Sequence, residues 1–193
     1  MTNLNGEERK ALLTSGDEAK LIALAQKQLP YNCVAYSKLM NVHQSYIYAT
    51  CRRVLGDQTE AEDATQDVMI RIFHKITHFK LESSFKTWVF TIARNVCFTA
   101  LAKRKKAMEM YEQYGVESAS FSHTPEKATE AQDHIDIVFK KLTYDERSIL
   151  ALRYMAELEI SEIAKVQELS LSATKMRLYR AIERFKKISE EST

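Results

Sequence analysis

Apolar positions along this 193-residue chain recur mostly at steps of three and four. That is the period of a helix with one buried stripe. Over residues 32–55 the stripe is Tyr36, Leu39, Met40, His43, Ile47 and Cys51, and Gly56 marks its end, as a C-terminal glycine often does. Residues 18–29 form a shorter predicted helix that stops at Pro30, because proline disfavours helical geometry in the residue before it. Thr59, with Glu62 three residues on, has the form of a capping box. It opens a predicted helix to about residue 76 that buries Ala64, Val68, Ile72 and Phe73. The polar residues 80–84 interrupt the pattern, and a further helix is predicted from Phe85 to about Lys106.

Residues 107–133 have weak periodicity, hold Gly115 and Pro125 and are rich in acids, so they read as a linker with a helical start. Beyond them Ile135, Val138, Phe139 and Leu142 form a new stripe. A helix over 145–155 carries Ile149, Leu150, Leu152 and Tyr154, and a short one covers 160–166. After Glu168, Leu169 and Ser170 a final helix buries Thr174, Leu178, Ala181, Ile182 and Phe185. The expected fold is all-α: two small helical domains, 17–106 and 134–190, joined by a flexible linker over 107–133. Only four glycines and two prolines occur, which fits helices better than a turn-rich β fold.

The net charge of +2 conceals an uneven distribution. Lys86, Arg94, Lys103, Arg104, Lys105 and Lys106 lie in one stretch with no acid between them. Glu109, Glu112, Glu117, Glu126, Glu130, Asp133 and Asp136 follow. The three cysteines, Cys33, Cys51 and Cys97, are widely spaced, so they read as reduced thiols, neither a disulfide framework nor a metal site. Charges run through residues 1–20, unlike a signal peptide. No apolar run approaches the roughly 18 residues needed to cross a membrane, so the expectation is a cytoplasmic protein without membrane insertion.

Two features suggest nucleic acid. Residues 160–187 have the rhythm of a helix-turn-helix: Ile163 and Ala164 face inward, a tight turn follows, and Ser170 is a good N-cap. The next helix loads its outer face with Lys175, Arg177, Arg180 and Arg184. A solvated basic face on an ordinary helix would look the same. The second feature is Phe79, Phe85, Trp88, Phe90 and Phe98, interleaved with the basic stretch; rings beside cations suit single-stranded DNA. Trp88 and Asn95 share a helix face, while Phe90 and Phe98 are expected in the core.

These residues carry a resemblance. Residues 56–68, GDQTEAEDATQDV, resemble region 2.2 of sigma factors. Residues 79–95, with Phe85, Lys86, Thr87 and Trp88 and then Ile92, Ala93, Arg94 and Asn95, resemble regions 2.3 and 2.4 of the extracytoplasmic-function (group IV) subfamily. Residues 142–147, LTYDER, and the helix-turn-helix through KMRLYRA at 175–181 resemble region 4. Residues 156–159 and 171–177 look closest to the SigX-like group. The resemblance covers about 17–106 and 134–188 and implies a sigma factor that directs RNA polymerase to promoters.

It further implies roles for individual residues. Asp63, Gln66, Asp67 and Phe73 match the helix that docks on the polymerase β′ clamp. Arg71, Phe79, Lys80, Ser83, Ser84, Phe85, Trp88 and Asn95 match the −10 reader, which receives a flipped base. Ser172, Ala173, Lys175, Met176, Arg177 and Arg180 match the −35 reader. The implied partners are core RNA polymerase, through its β′ clamp and β flap, promoter DNA and an anti-sigma factor; no cofactor is implied. Two departures stand out. The family often has glycine in the loop after Phe79, where Lys80, Leu81 and Glu82 stand, and often in the helix-turn-helix turn, where Glu168 stands.

A conventional helix-turn-helix regulator is the alternative, but it leaves residues 79–95 without a role. A helical adaptor that mimics a sigma domain would not need a basic last helix. An enzyme is disfavoured, since His43, His74, His78, His123 and His134 make no catalytic constellation with Ser or Cys. His74 and His78 are spaced like a metal pair, but the acid of an HExxH motif is absent, and coincidence explains them.

Overall fold

The computed structural model describes residues 15–113 and 130–192. They form eight α-helices and one 3-10 turn, with no strand among the described residues. The first block holds α1 (Ser15–Gln28), α2 (Val34–Leu55), α3 (Gln58–Lys75), the turn Ile76–His78 and α4 (Phe85–Gln113). The second holds α5 (Glu130–Lys141), α6 (Tyr144–Tyr154), α7 (Ile160–Gln167) and α8 (Leu171–Glu190). The all-α, two-domain expectation therefore holds.

Each helix in the first block has a local reason to start or stop. Asp17 and Glu18 in the first turn of α1 and Lys27 in its last suit the helix dipole. Gly56 closes α2 in the left-handed conformation, φ 78°, with its N–H on the Arg52 carbonyl. The cap of α3 is Asp57, not Thr59: its carboxylate accepts from the Glu60 N–H at 2.8 Å. Where α3 unwinds, Gln26 of α1 donates to the carbonyls of both Ile76 and Phe79 at 2.9 Å. That clamp gives the Phe79 carbonyl a donor and adds a second to the Ile76 carbonyl, which already accepts from the Phe79 N–H. α4 continues past Lys106 to Gln113, so the start of the expected linker is helical. Most of that linker lies outside the described residues.

The expected stripes of α2 and α3 are buried except for Phe73, which is half-buried, and His43 among them is 2% exposed. Its Nε2 lies 3.0 Å from Glu18 Oε1, so this buried polar ring has a partner. Phe90 is fully buried as expected. Phe98 is not: it is 56% exposed and rests on Tyr144 of the second block. Helical spacing marks a residue as apolar-facing but not which neighbour it will face.

In the second block Thr143 and Glu146 form a reciprocal capping box at α6. Arg153 holds the α6–α7 turn by donating to the Leu158 carbonyl at 2.9 Å. Ile149, Leu152, Leu158 and Ile163 are buried beneath α8.

The two blocks are docked, and their buried apolar side chains join in one cluster. Arg52 and Arg53 at the end of α2 both engage Asp136 of α5, with Arg52 at 3.0 Å and Arg53 also lying over the Phe139 ring. Tyr144 of α6 donates to the Arg94 carbonyl at 3.3 Å. Ser84 and Thr87 at the start of α4 meet Glu162 of α7.

Tyr36 tests the first block. Its hydroxyl donates to the Met69 carbonyl at 2.5 Å, and Phe73 packs edge-on against its ring. Burial, and then nearby Cys33, push its pKa from 10.0 up to about 12. A pKa raised by folding means that its contribution is whole below the unfolded value and is lost as pH climbs toward 12. Tyr36→Phe should cost about 1 kcal/mol at neutral pH and flatten this alkaline loss. Urea midpoints measured from neutral into alkaline pH check both.

Candidate nucleic-acid and docking surfaces

The turn before α8 is built by a left-handed residue. Glu168 has φ 55°, and the Leu169 N–H reaches back to the Ala164 carbonyl at 2.9 Å. This is a Schellman closure without the usual glycine. Ser170 then caps α8 as expected, accepting from the Ala173 N–H. Thr174, Leu178 and Ala181 anchor the inner face. Ser172, Ala173, Lys175, Met176 and Arg180 are exposed on the outer face. Arg177 is half-buried and leans on Asp145 at 3.3 Å. Tyr179, which sequence reasoning passed over, is 67% exposed one turn beyond Lys175. Its signal was available: an aromatic ring at a position the apolar stripe does not use.

At the other candidate site Phe79, Phe85 and Trp88 stack on one another with centroids 5.0 to 5.6 Å apart. Phe79 and Phe85 are buried and Trp88 is half-buried, so this trio is core first and surface second. Leu81 in the preceding loop sits at φ 61°. Lys80 and Asn95 are exposed, and Asn95 accepts a bond from Arg94.

Ser83 and Ser84 differ. The Ser83 hydroxyl turns back onto the Ser84 carbonyl at 3.2 Å. The Ser84 hydroxyl accepts from the Thr87 N–H at the start of α4 and donates to Glu162 at 2.7 Å. Thr87 donates to the same carboxylate oxygen at 2.9 Å. Burial opposes ionisation of Glu162. Hydrogen bonds from Ser84, the Glu159 N–H and Thr87, with the Lys86 charge, outweigh it and hold the carboxyl below its ordinary range. Lys86 is itself pushed down, chiefly by burial.

A groove of about 640 Å³ runs between α3 and α4. Asp63, Gln66 and Asp67 line it together with Ile70, Ala100 and Lys103. Arg71 lines it too, 4.0 Å from Asp67. Phe73 does not line it; its ring packs on Tyr36 and His74. Ile70 was missed although it follows Asp63, Gln66 and Asp67 at helical spacing and is 55% exposed.

Comparison with known proteins agrees with this layout. The family described as Sigma-70 region 2 matches residues 39–107, and Sigma-70, region 4 matches 138–187. Together these cover most of the chain. It is an extracytoplasmic-function sigma factor of the sigma-70 superfamily. The ECF RNA polymerase sigma factor SigW of Bacillus subtilis is 27% identical over 168 residues, 79% of this chain and 88% of its own. The RNA polymerase sigma-H factor of Pseudomonas aeruginosa is 25% identical over 89% of this chain and 93% of its own. SigX of B. subtilis is 24% identical over 80% and 84%. Among solved structures, the sigma factor RpoE of Bartonella quintana superposes with TM-score 0.67 at 22% identity, covering 80% of this chain and 96% of that one. CnrH superposes with TM-score 0.66 at 19% identity, covering 91% and 99%.

In the sigma factor, then, α7 and α8 are the helix-turn-helix of region 4, and α3 and α4 lie in region 2. The burial pattern separates two kinds of candidate −10 residue. Phe79→Ala removes a ring that is 7% exposed and should cost about 3–5 kcal/mol. Asn95→Ala should stay within about 0.5 kcal/mol of the parent. Thermal unfolding of the two variants measures the difference, and it makes Asn95 the cleaner functional probe.

Proposed function

We infer that this sigma factor binds core RNA polymerase and directs promoter-specific initiation with two unlike DNA surfaces. The −35 element is read as duplex by Ser172, Ala173, Lys175, Met176, Arg177 and Arg180 on α8. The −10 element is read as a melted strand by Lys80, Ser83, Ser84, Trp88 and Asn95, with Arg71, Phe79 and Phe85 in support. The observation that carries this reading is the contrast between an exposed cationic helix-turn-helix face and a ring cluster flanked by cations. Cations and short polar groups suit phosphates and base edges in a groove. Rings beside cations suit an unstacked strand. A conventional regulator needs only the first surface.

Core polymerase docks, in this reading, on the α3–α4 groove through Asp63, Gln66 and Asp67, with Phe73 supporting α3 from behind; its β flap takes the second block. The sigma factor RpoE was solved in complex with the anti-sigma factor NepR, and CnrH in complex with the cytosolic domain of CnrY. An anti-sigma factor is proposed here by analogy. The working division keeps 17–106 and 134–190 as functional domains, 107–133 as linker, and the cytoplasm as the place of action. The chain acts by binding, with no catalytic step of its own. A SigX-like affinity rests on residues 156–159 and 171–177 and stands beside the overall likeness to SigW.

Run-off transcription with core polymerase and a promoter library tests the function; transcripts from no promoter in the presence of core would sink it. Asp63→Arg should abolish these transcripts while leaving the unfolding midpoint nearly unchanged, because Asp63 is exposed. Lys175→Ala should weaken holoenzyme binding to closed duplex and reduce its salt slope by about one phosphate. Asn95→Ala should leave closed binding intact and reduce strand opening, read by permanganate footprints of melted thymines. A pre-melted promoter should partly rescue Asn95→Ala and not Lys175→Ala. Identical failure of both variants in both assays would remove the two-site division.

A further inference from the structure

Residues 80–84 leave the body of the first block at Phe79 and rejoin it at Phe85. Both ends meet α1, one directly and one through His43. This helix precedes the segment matched to Sigma-70 region 2, which begins at residue 39. At the departing end one nitrogen makes both bonds. Gln26 Nε2 carries two hydrogens and donates to the carbonyls of Ile76 and Phe79, each at 2.9 Å. At the returning end Glu18 Oε1 lies 3.0 Å from His43 Nε2, and the His43 ring packs on Phe85 with centroids 5.3 Å apart.

The two carbonyls are not equivalent. That of Ile76 also accepts from the Phe79 N–H at 3.0 Å, which closes the 3-10 turn. That of Phe79 belongs to the first extended peptide after the turn, at ψ 116°. This peptide sets the direction in which Lys80 leaves and the approach to the left-handed step at Leu81, φ 61°. A planar peptide swings as a unit about its flanking torsions unless its carbonyl is held. Here a half-buried amide holds it, and Ile22 and Ala25, buried beside Gln26, fix the helix that carries the amide. Both bonds go to backbone, so they shape the loop without using a side chain that could contact DNA.

We propose that Gln26 is a positioning residue of the −10 reader: its amide fixes the Phe79 peptide, and thereby the loop shape that accepts one base over the others. This rests on the reading of residues 80–84 as part of the −10 site. A loop released from the clamp spends a smaller fraction of its time in the accepting shape, and apparent affinity for the melted strand falls by that fraction. Shapes that suit other bases are populated instead, so preference among bases weakens as well. Duplex reading by α8 is left alone, because α8 belongs to the other block.

The test uses holoenzyme on a promoter that it transcribes and on every single-base change across the −10 element of that promoter. Gln26→Leu keeps the stem and removes both donors. Gln26→Glu keeps size and polarity but sets a carboxylate against two carbonyls, and it serves where the leucine variant fails to fold. Tyr36→Phe is the stability control, since it weakens the same block away from the loop. Both Gln26 variants should bind closed duplex like the parent and open the promoter about tenfold less, read by permanganate footprints. They should also discriminate less among the −10 changes. Tyr36→Phe should keep the parent's discrimination.

Folded Gln26 variants with the parent's opening and discrimination overturn the proposal. So does a loss shared by closed binding and opening, or a preference altered equally by Tyr36→Phe, since either is lost stability alone. Lys80→Ala and Ser83→Ala tell which idea has failed. If neither changes opening or discrimination, the −10 assignment of the loop is wrong. If either does while the Gln26 variants behave as the parent, the loop reads DNA without the clamp and the positioning role is wrong.

Discussion

One helix has to face three ways. With successive side chains about 100° apart, α4 has room for a buried stripe and two further strips. Phe85, Val89, Phe90, Ala93, Val96 and Cys97 fill the stripe that builds the first block. Trp88 and Asn95 occupy the strip proposed to meet the −10 strand. Ser84, Thr87, Arg94 and Phe98 occupy the strip that meets the second block. The buried stripe locks the rotation of the helix, so the core sets the positions of the other two. This is why a buried ring such as Phe79 or Phe85, proposed to support the −10 site, bears on that site and on stability at once. Cutting it moves the helix that carries the exposed groups.

The loops that aim the functional helices are set by backbone that a side chain rarely adopts. Leu81 and Glu168 both lie in the left-handed region. For a residue with a Cβ that conformation costs about 1 kcal/mol. In both places surrounding bonds hold it. Gln26 clamps the approach to the Leu81 loop at the Ile76 and Phe79 carbonyls, and Leu169 closes the turn at Glu168 onto Ala164. These bonds therefore hold the glycine-free turns at the proposed −10 loop and in the helix-turn-helix.

Helix existence, the two blocks and the outer face of α8 were legible because they follow from local period and composition. What failed was anything decided by a partner. Asp57 and Thr59 are both competent caps, and only the backbone at 57 selects the aspartate. Phe98 has core spacing, but its neighbour is Tyr144, far along the chain. Ile70 sits in an acidic helical face where pattern alone gives it no role, and the groove to α4 supplies one. The pairing of Glu162 with Ser84 and Thr87 spans 78 and 75 residues and leaves no trace in local pattern.

The polar character of the docking interface argues for a reversible joint. Buried ion pairs lose much of their attraction to desolvation, so they specify an arrangement more than they stabilise it. Asp136 with two arginines and Glu162 with two hydroxyls are groups that water or another ligand can satisfy equally well once the blocks part. Arg147 lies beside Gly56 across the joint: its Nε is buried without a hydrogen-bond partner, and burial, with the charge of Arg104, lowers its pKa. Leaving such a group unmet costs on the order of 1–3 kcal/mol, and separation of the blocks returns it to solvent. An interface that joins an apolar cluster to exchangeable polar latches and an unmet guanidinium N–H is stable enough to form and weak enough to open. A protein that must deploy two DNA surfaces on a third body has to combine those two properties.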